Sequence, residues 1–133
     1  MIPAAGYFLG MTLNHPDTDR IDLADVLTAL GDETRLAMVG YLVRSNQPEM
    51  ACGQFYTLGS KTALSYHLAK LREAGIVNVR PMGTKRLVSL RRADLDARFP
   101  GFLDSIAPSA LAAAEQVAMP EFERATQAEI DGA

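Results

Sequence analysis

The segment TALSYHLAKLREAGIVNVR, residues 62–80, contains the pattern that decides the fold. Its apolar residues recur at the spacing of one helix face: Leu64, Leu68 and Leu71. This spacing predicts an amphipathic helix that buries the leucines. Ser60 is a favoured N-cap residue, and Gly75 is a typical residue after a helix end. We therefore expect a helix over residues 61–74.

A β-hairpin follows this helix. The runs IVNVR at 76–80 and KRLVSL at 85–90 are rich in β-forming residues. Between them, Pro81 and Gly83 provide the composition of a turn. In front of the helix, the connection LGS at 58–60 is short, and residues 49–58 predict a short helix that Gly53 interrupts.

Two further helices are predicted in DRIDLADVLTALGDETRLAMVGYLVRSNQPE, residues 19–49. Apolar residues recur at helical spacing on both sides of Gly31 and Asp32. We expect Gly31 to end the first helix with a positive φ and Asp32 to cap the second. After the hairpin, apolar residues at helical spacing predict a helix over 94–106, although Pro100 and Gly101 interrupt the run. An Ala-rich helix is expected over 109–119, bracketed by prolines.

The order of elements predicts a mainly α-helical fold with a small β-hairpin, the winged helix-turn-helix. We divide the chain into an N-terminal arm (1–20), expected to be loosely ordered, a winged helix-turn-helix domain (21–106) and a C-terminal helical extension (107–133).

Composition favours a cytoplasmic globular protein. The chain has 133 residues, of which 48% are hydrophobic, and one cysteine, Cys52, which cannot form an intramolecular disulfide. The first residues lack the basic start and cleavage pattern of a signal peptide, and no apolar run reaches the ~18 residues of a membrane span. No motif of an enzyme active site is present, so we expect no catalysis.

Charge is distributed unevenly along the chain. Residues 60–92 contain eight basic residues and one acidic residue, a net charge of +7, whereas the whole chain carries −3. A basic block in an acidic chain is typical of a phosphate-binding face.

The exposed face of the predicted helix carries groups suited to a DNA major groove. Stepping 100° per residue from the leucine stripe places hydrogen-bonding side chains on the outside and flanks of the helix. The hairpin adds cations near its turn that can reach the DNA backbone. The candidate DNA-binding residues are Ser60, Lys61, Thr62, Ser65, Tyr66, Lys70, Lys85 and Arg86.

Three segments together resemble the ArsR-type winged-helix regulators. LTALGDETRLAMVGYL resembles the opening signature of that family, GSKTALSYHLAKLREAGIV its recognition helix, and GTKRLVSL its wing. The resemblance covers about residues 23–92. It implies a cytoplasmic repressor that binds a double-stranded DNA operator as a homodimer through its first and last helices, here about 21–30 and 94–106. It also implies release by an effector, whose identity the sequence does not give.

The sequence departs from the metal-sensing pattern of that family. At the positions of the Cys-x-Cys sensor motif this chain has Glu49 and Ala51, and Cys52 lies alone beside them. With His15 and His67 as the other soft ligands, the chain offers fewer than thiophilic metals require, so we expect no metal and no other cofactor. His67 is expected to pack near the core. Cys52 is expected to be a small buried apolar residue.

Two alternatives to DNA-binding repression by an unknown effector remain open. One is a winged-helix module that binds protein without binding DNA, since the fold alone permits it. The other is a thiol-based repressor that senses redox state through Cys52, which requires an exposed thiol of lowered pKa.

Overall fold

Five α-helices and a three-stranded sheet make up residues 14–45 and 47–116, the part of the chain that this computed structural model describes. In chain order the elements are η1 (Thr18–Arg20), α1 (Leu23–Leu30), α2 (Glu33–Arg44), β1 (Met50–Ala51), η2 (Cys52–Leu58), α3 (Lys61–Glu73), β2 (Val77–Met82), β3 (Lys85–Leu90), α4 (Arg92–Arg98) and α5 (Phe102–Gln116), where η marks a 3₁₀ helix. This is the predicted winged helix-turn-helix, with η2 and α3 as the helix pair and the β2–β3 hairpin as the wing.

Helix α3 forms as its sequence predicts. The three leucines of its inner face are buried in the core: Leu64, Leu68 and Leu71. Fully burying a leucine side chain contributes about 1.5–3 kcal/mol, so this stripe holds the helix firmly against the domain. The Ser60 hydroxyl caps the helix by accepting a hydrogen bond from the Ala63 N–H at 3.1 Å. Gly75 follows the helix end at φ +87°, where a side chain would be strained.

The sheet has one strand more than the predicted hairpin. All its pairs are antiparallel in the order β1-β3-β2, so β3 is central. Val88 of β3 pairs with Val79 on one side and Met50 on the other, and all three are buried. The short helix predicted before α3 is present over Cys52–Leu58 as the 3₁₀ helix η2, whereas its expected start is wrong, because Met50 and Ala51 pair with β3.

Helices α1 and α2 meet at a turn that differs from the prediction in one detail. Asp32 caps α2 as expected, since its side chain accepts hydrogen bonds from the N–H groups of Thr34 and Arg35 at 2.9 and 3.0 Å. The expected positive φ at Gly31 is wrong, because the residue lies at φ −76°. Its N–H instead bonds the Thr28 carbonyl at 3.2 Å, a 3₁₀-type ending that needs no left-handed residue.

Helix α5 packs closely along α2. Gly40 of α2 is buried against the α5 backbone, where an added Cβ would overlap the Ala110 carbonyl and lie 2.9 Å from the Ala114 Cβ. The expected helix boundary at Pro108 is wrong, because Pro108 lies inside α5 and the helix runs across the predicted division at 106/107. Pro108 and Asp104, whose carbonyl loses its helical partner, are both exposed, so water can satisfy that carbonyl. Residues 117–133, including the end of the predicted 109–119 helix, lie outside the described residues.

The segment before α1 is attached to the domain, contrary to the expectation of a loose arm for residues 14–20. The Thr18 hydroxyl donates a hydrogen bond to Asp94 at 2.6 Å, and the buried Arg91 side chain donates to the Pro16 carbonyl at 2.7 Å. The His15 ring accepts a hydrogen bond from the Val79 N–H at 2.9 Å. Residues 1–13 lie outside the described residues. None of the described helices is long and apolar enough to cross a membrane.

The contact between α2 and α5 predicts a sharp response to a small side chain. Gly40→Ala should lower the free energy of unfolding by about 1–3 kcal/mol or more, because the added methyl meets rigid backbone. Urea denaturation followed by circular dichroism measures this change. Gly59→Ala is the matched control, since among the described residues its Cβ would meet the Ala63 Cβ at 3.8 Å, an ordinary van der Waals contact. Equal stability of the two variants would contradict the packing described here.

The attachment of the N-terminal segment predicts a pH dependence. Hydrogen bonds from the Thr18 hydroxyl and the Arg91 guanidinium hold the pKa of the Asp94 carboxyl below its usual value. A lowered folded-state pKa means that this stabilisation is fully present above pH ~4 and is lost as pH falls through the folded-state pKa. Asp94→Asn should therefore lower stability at neutral pH and reduce the loss on acidification.

Denaturation of Asp94→Asn at pH values from ~7 to ~2 tests this expectation, with Asp96→Asn as control. Asp96 lies on the same helix, and its side chain makes no hydrogen bond or ion pair to any residue within the described ranges. If both variants show the acid response of the unmodified protein, Asp94 does not hold the segment.

Candidate nucleic-acid interface

The outer face of α3 presents a row of polar side chains to solvent. The predicted residues exposed on it are Lys61, Thr62, Ser65, Tyr66 and Lys70. Tyr66 is 56% exposed although it is aromatic, so the helix offers a flat ring together with hydroxyl and ammonium groups. Because the leucine stripe on the opposite side of α3 is buried, this face must point to solvent.

The wing brings two cations to one edge of the same face. Lys85 and Arg86 are the first residues of β3 and are both exposed. They line a cavity together with Lys61 and Ser65 of α3. The structure thus brings together four of the eight predicted residues, although about twenty positions separate the two pairs in the chain.

The remaining predicted residues surround this group. The Ser60 hydroxyl is occupied by the helix cap, so Ser60 can contribute its exposed backbone and its place at the helix start. Lys70 lies toward the other end of α3, with its Nζ 5.4 Å from the centre of the Tyr66 ring. This cation–π contact joins the two side chains on the outer surface. A shallow depression beside them is lined also by Asp25 and Glu73.

Four of the eight basic residues in the 60–92 block make contacts that hold the fold together. Arg72 donates a hydrogen bond to the Asn14 carbonyl at 2.6 Å, and Arg91, 7% exposed, pairs with Asp94 at 2.9 Å. Two more arginines pair with carboxylates: Arg80 with Glu49 at 2.7 Å and Arg92 with Asp104 at 3.1 Å. The other four basic residues of the block are those in the predicted set: Lys61, Lys70, Lys85 and Arg86.

Arg35, which is not among the predicted site residues, contacts the middle of α3. The Arg35 Nε donates to the Ala29 carbonyl at 2.6 Å, and its Nη1 lies 3.0 Å from the His67 Nδ1. Because an arginine can only donate, Nδ1 is the acceptor in this contact. Arg35 thus joins α1, α2 and α3, and the half-buried His67 has the structural role that was expected of it. The two residues are 32 positions apart, so no local pattern indicates the contact.

Cys52 is half-buried at the start of η2 and packs against the core. Burial raises the pKa of its thiol, while the nearby charge of Arg86 acts in the opposite direction. A raised pKa disfavours the thiolate, the reactive form, so this environment is poorly suited to a redox sensor. Among residues 14–45 and 47–116, no three His, Cys, Asp or Glu side chains come close enough to hold a metal ion.

Comparison with known proteins agrees with this geometry. A family model described as "Helix-turn-helix domain" matches residues 30–80, from the last residue of α1 into β2. The chain is also similar to YceK of Bacillus subtilis (strain 168), which is described as an uncharacterized HTH-type transcriptional regulator. The two are 37% identical over 102 residues, which cover 75% of this chain and 99% of YceK.

Proposed function

The chain belongs to the helix-turn-helix transcriptional regulators, and we propose that it is an ArsR-type repressor that binds a two-fold DNA operator as a homodimer. The observation that carries the proposal is the convergence of the polar face of α3 with the cations of the wing. The motif resemblance at residues 23–92 supports the ArsR assignment. We further propose that the protein acts in the cytoplasm, without catalytic activity and without a cofactor.

Helix α3 is the proposed reader of base sequence. Its N-terminal half enters the major groove, where Lys61, Thr62, Ser65 and Tyr66 can reach base edges. Tyr66 can also contact a thymine methyl group through its ring. The start of the helix at Ser60 faces a phosphate, which free N–H groups of the first turn can bind.

The wing and the flank of α3 supply the phosphate contacts. Lys85 and Arg86 project beside the groove, and Lys70 does so from the far end of the helix. Phosphate contacts fix the register of the protein on the duplex, whereas base contacts select the sequence. The same cations make a protein-binding wing the weaker alternative, because apolar side chains dominate the core of protein interfaces.

Helix α1 is the proposed centre of the dimer interface, with α4 and α5 contributing. Leu23 and Leu27 are exposed on one face of α1, and Leu27 is 51% exposed. Two leucines at i and i+4 form an apolar strip that a second copy can cover. A two-fold dimer would present two α3 helices to major grooves one helical turn apart. An effector that favours a different arrangement of the protomers would release the DNA.

The DNA contact is tested with a palindromic fragment from the region upstream of the gene. Lys61→Ala and Tyr66→Ala should each weaken binding by about tenfold without lowering the unfolding midpoint, because both side chains are exposed. Fluorescence anisotropy at several KCl concentrations measures the affinity. The affinity should fall steeply as salt rises, through release of counterions from the DNA.

Arg92→Ala is the charge-matched control for Lys61→Ala, since Arg92 is exposed on α4 and pairs with Asp104 of α5. It should leave the affinity nearly unchanged. Absence of binding at every salt concentration would overturn DNA binding, and an equal loss in the Arg92 variant would overturn the assignment of residues.

The dimer contact is tested by placing a charge on α1. Leu27→Asp should raise the dimer dissociation constant by about tenfold or more, because a carboxylate would be buried on an apolar surface. Sedimentation equilibrium measures the change. Met82→Asp serves as control, since Met82 is similarly exposed but lies on the wing. If the unmodified protein is monomeric, or if both variants dissociate alike, the interface lies elsewhere or is absent.

A further inference from the structure

The cavity between α3, the wing and η2 has an apolar floor. Its volume is about 390 Å³, within the range of small-molecule sites. Four buried side chains form the floor: Met38, Phe55, Leu64 and Leu68. A phosphate of the DNA backbone would gain nothing from an apolar floor, because a phosphate is bound by hydrogen-bond donors and positive charge.

The rim of the cavity is cationic. Lys61 lies on the helix side, and Lys85 and Arg86 lie on the wing side. Two exposed residues with hydroxyl groups, Ser65 and Thr84, also line the cavity. Among the described residues that line the cavity, three are cationic and none is a carboxylate. Neither Lys85 nor Arg86 forms an ion pair with any residue in the described ranges.

We propose that this cavity binds a small organic anion, a monocarboxylate with an apolar body of medium chain length. Its apolar body would lie on the buried floor, and its carboxylate would meet the cations at the rim. Charged hydrogen bonds of this kind are stronger than neutral ones, and removing apolar surface from water adds to them. An anion without an apolar body, or an apolar molecule without charge, uses only half of the site.

The location of the cavity gives the ligand a regulatory effect. The rim residues Lys61, Ser65, Lys85 and Arg86 are also four of the proposed DNA contacts. A carboxylate bound to them neutralises the charges that DNA phosphates need, so ligand and operator exclude each other. This second step rests on the proposed function, whereas binding of the anion does not.

Isothermal titration calorimetry of the full chain without DNA tests the ligand. The probe is decanoate below its micelle concentration, with acetate and decanamide as controls for charge and apolar body. Decanoate should bind at least about tenfold more tightly than either control, because it alone satisfies both the floor and the rim. Arg86→Gln should weaken decanoate binding. Equal affinities for decanoate and decanamide, or no binding of decanoate, would overturn the proposal.

A larger side chain inside the cavity should block the ligand without changing the surface that binds DNA. Cys52 lines the wall and is not among the proposed DNA contacts, so Cys52→Phe should abolish decanoate binding and keep operator binding. Cys52→Met, a smaller change, is measured beside it and should weaken decanoate binding, which keeps the test decisive if the Phe variant does not fold. Retention of full decanoate affinity in both folded variants would contradict the location.

Competition then tests regulation. Saturating decanoate should lower the apparent operator affinity of the unmodified protein by about tenfold or more, whereas acetate at the same concentration should not. If decanoate binds but operator affinity is unchanged, mutual exclusion is wrong. If the protein binds no operator fragment at all, the proposed function fails, and the calorimetric result still decides whether the cavity takes the anion.

Discussion

The burial of one leucine stripe determines which surface of this molecule is available for recognition. Leu64, Leu68 and Leu71 lie against the core, so the side chains on the other side of α3 must face solvent. Apolar packing alone would still allow the helix to shift along its axis. The Arg35 contacts to the Ala29 carbonyl and to His67 restrict that movement, because they join α3 to both preceding helices.

Some basic residues of the chain stabilise the fold and others form the proposed DNA-binding surface. Their burial and their ion pairs distinguish the two groups. Arg91 is almost wholly buried and is compensated by Asp94, which is what the cost of burying an isolated charge requires. Arg80 lies on the exposed sheet edge, where its two hydrogen bonds to Glu49 connect β2 to the residue before β1. Within residues 60–92, the basic residues that face the proposed DNA-binding surface are the lysines of α3 and the first two residues of β3. The surface of α3 and the wing is therefore less basic than residues 60–92 as a whole, but its cations all lie on one side of the domain.

Features with local signals could be predicted from the sequence, whereas features made by distant contacts could not. The caps at Asp32 and Ser60, the leucine stripe and the hairpin turn each depend on residues a few positions apart. The pairing of β1 with β3 joins positions almost 40 residues apart, and the hydrogen bond between Thr18 and Asp94 spans 76 positions. Helix α5 continues through Pro108 because its alanines are held against α2, a tertiary effect that outweighs local propensity. The eight candidate contacts could be placed on one surface, but the apolar floor between them comes from three separate elements.

A ligand can release DNA by two physical routes. It can occupy the residues that bind DNA, or it can change the arrangement of the two protomers. An effector that acts at a distance must bind two arrangements of the dimer with different affinity, and its effect cannot exceed that difference. A ligand at the rim of the α3–wing cavity needs no second arrangement, because it occupies the same cations as the DNA. The Arg35 contacts favour this route, since they join α3 to α1 and α2, and the close packing of Gly40 against α5 leaves α2 little room for adjustment. The route also explains why an apolar floor can lie beneath a DNA-binding surface: the floor distinguishes the ligand from the phosphates that share its cations.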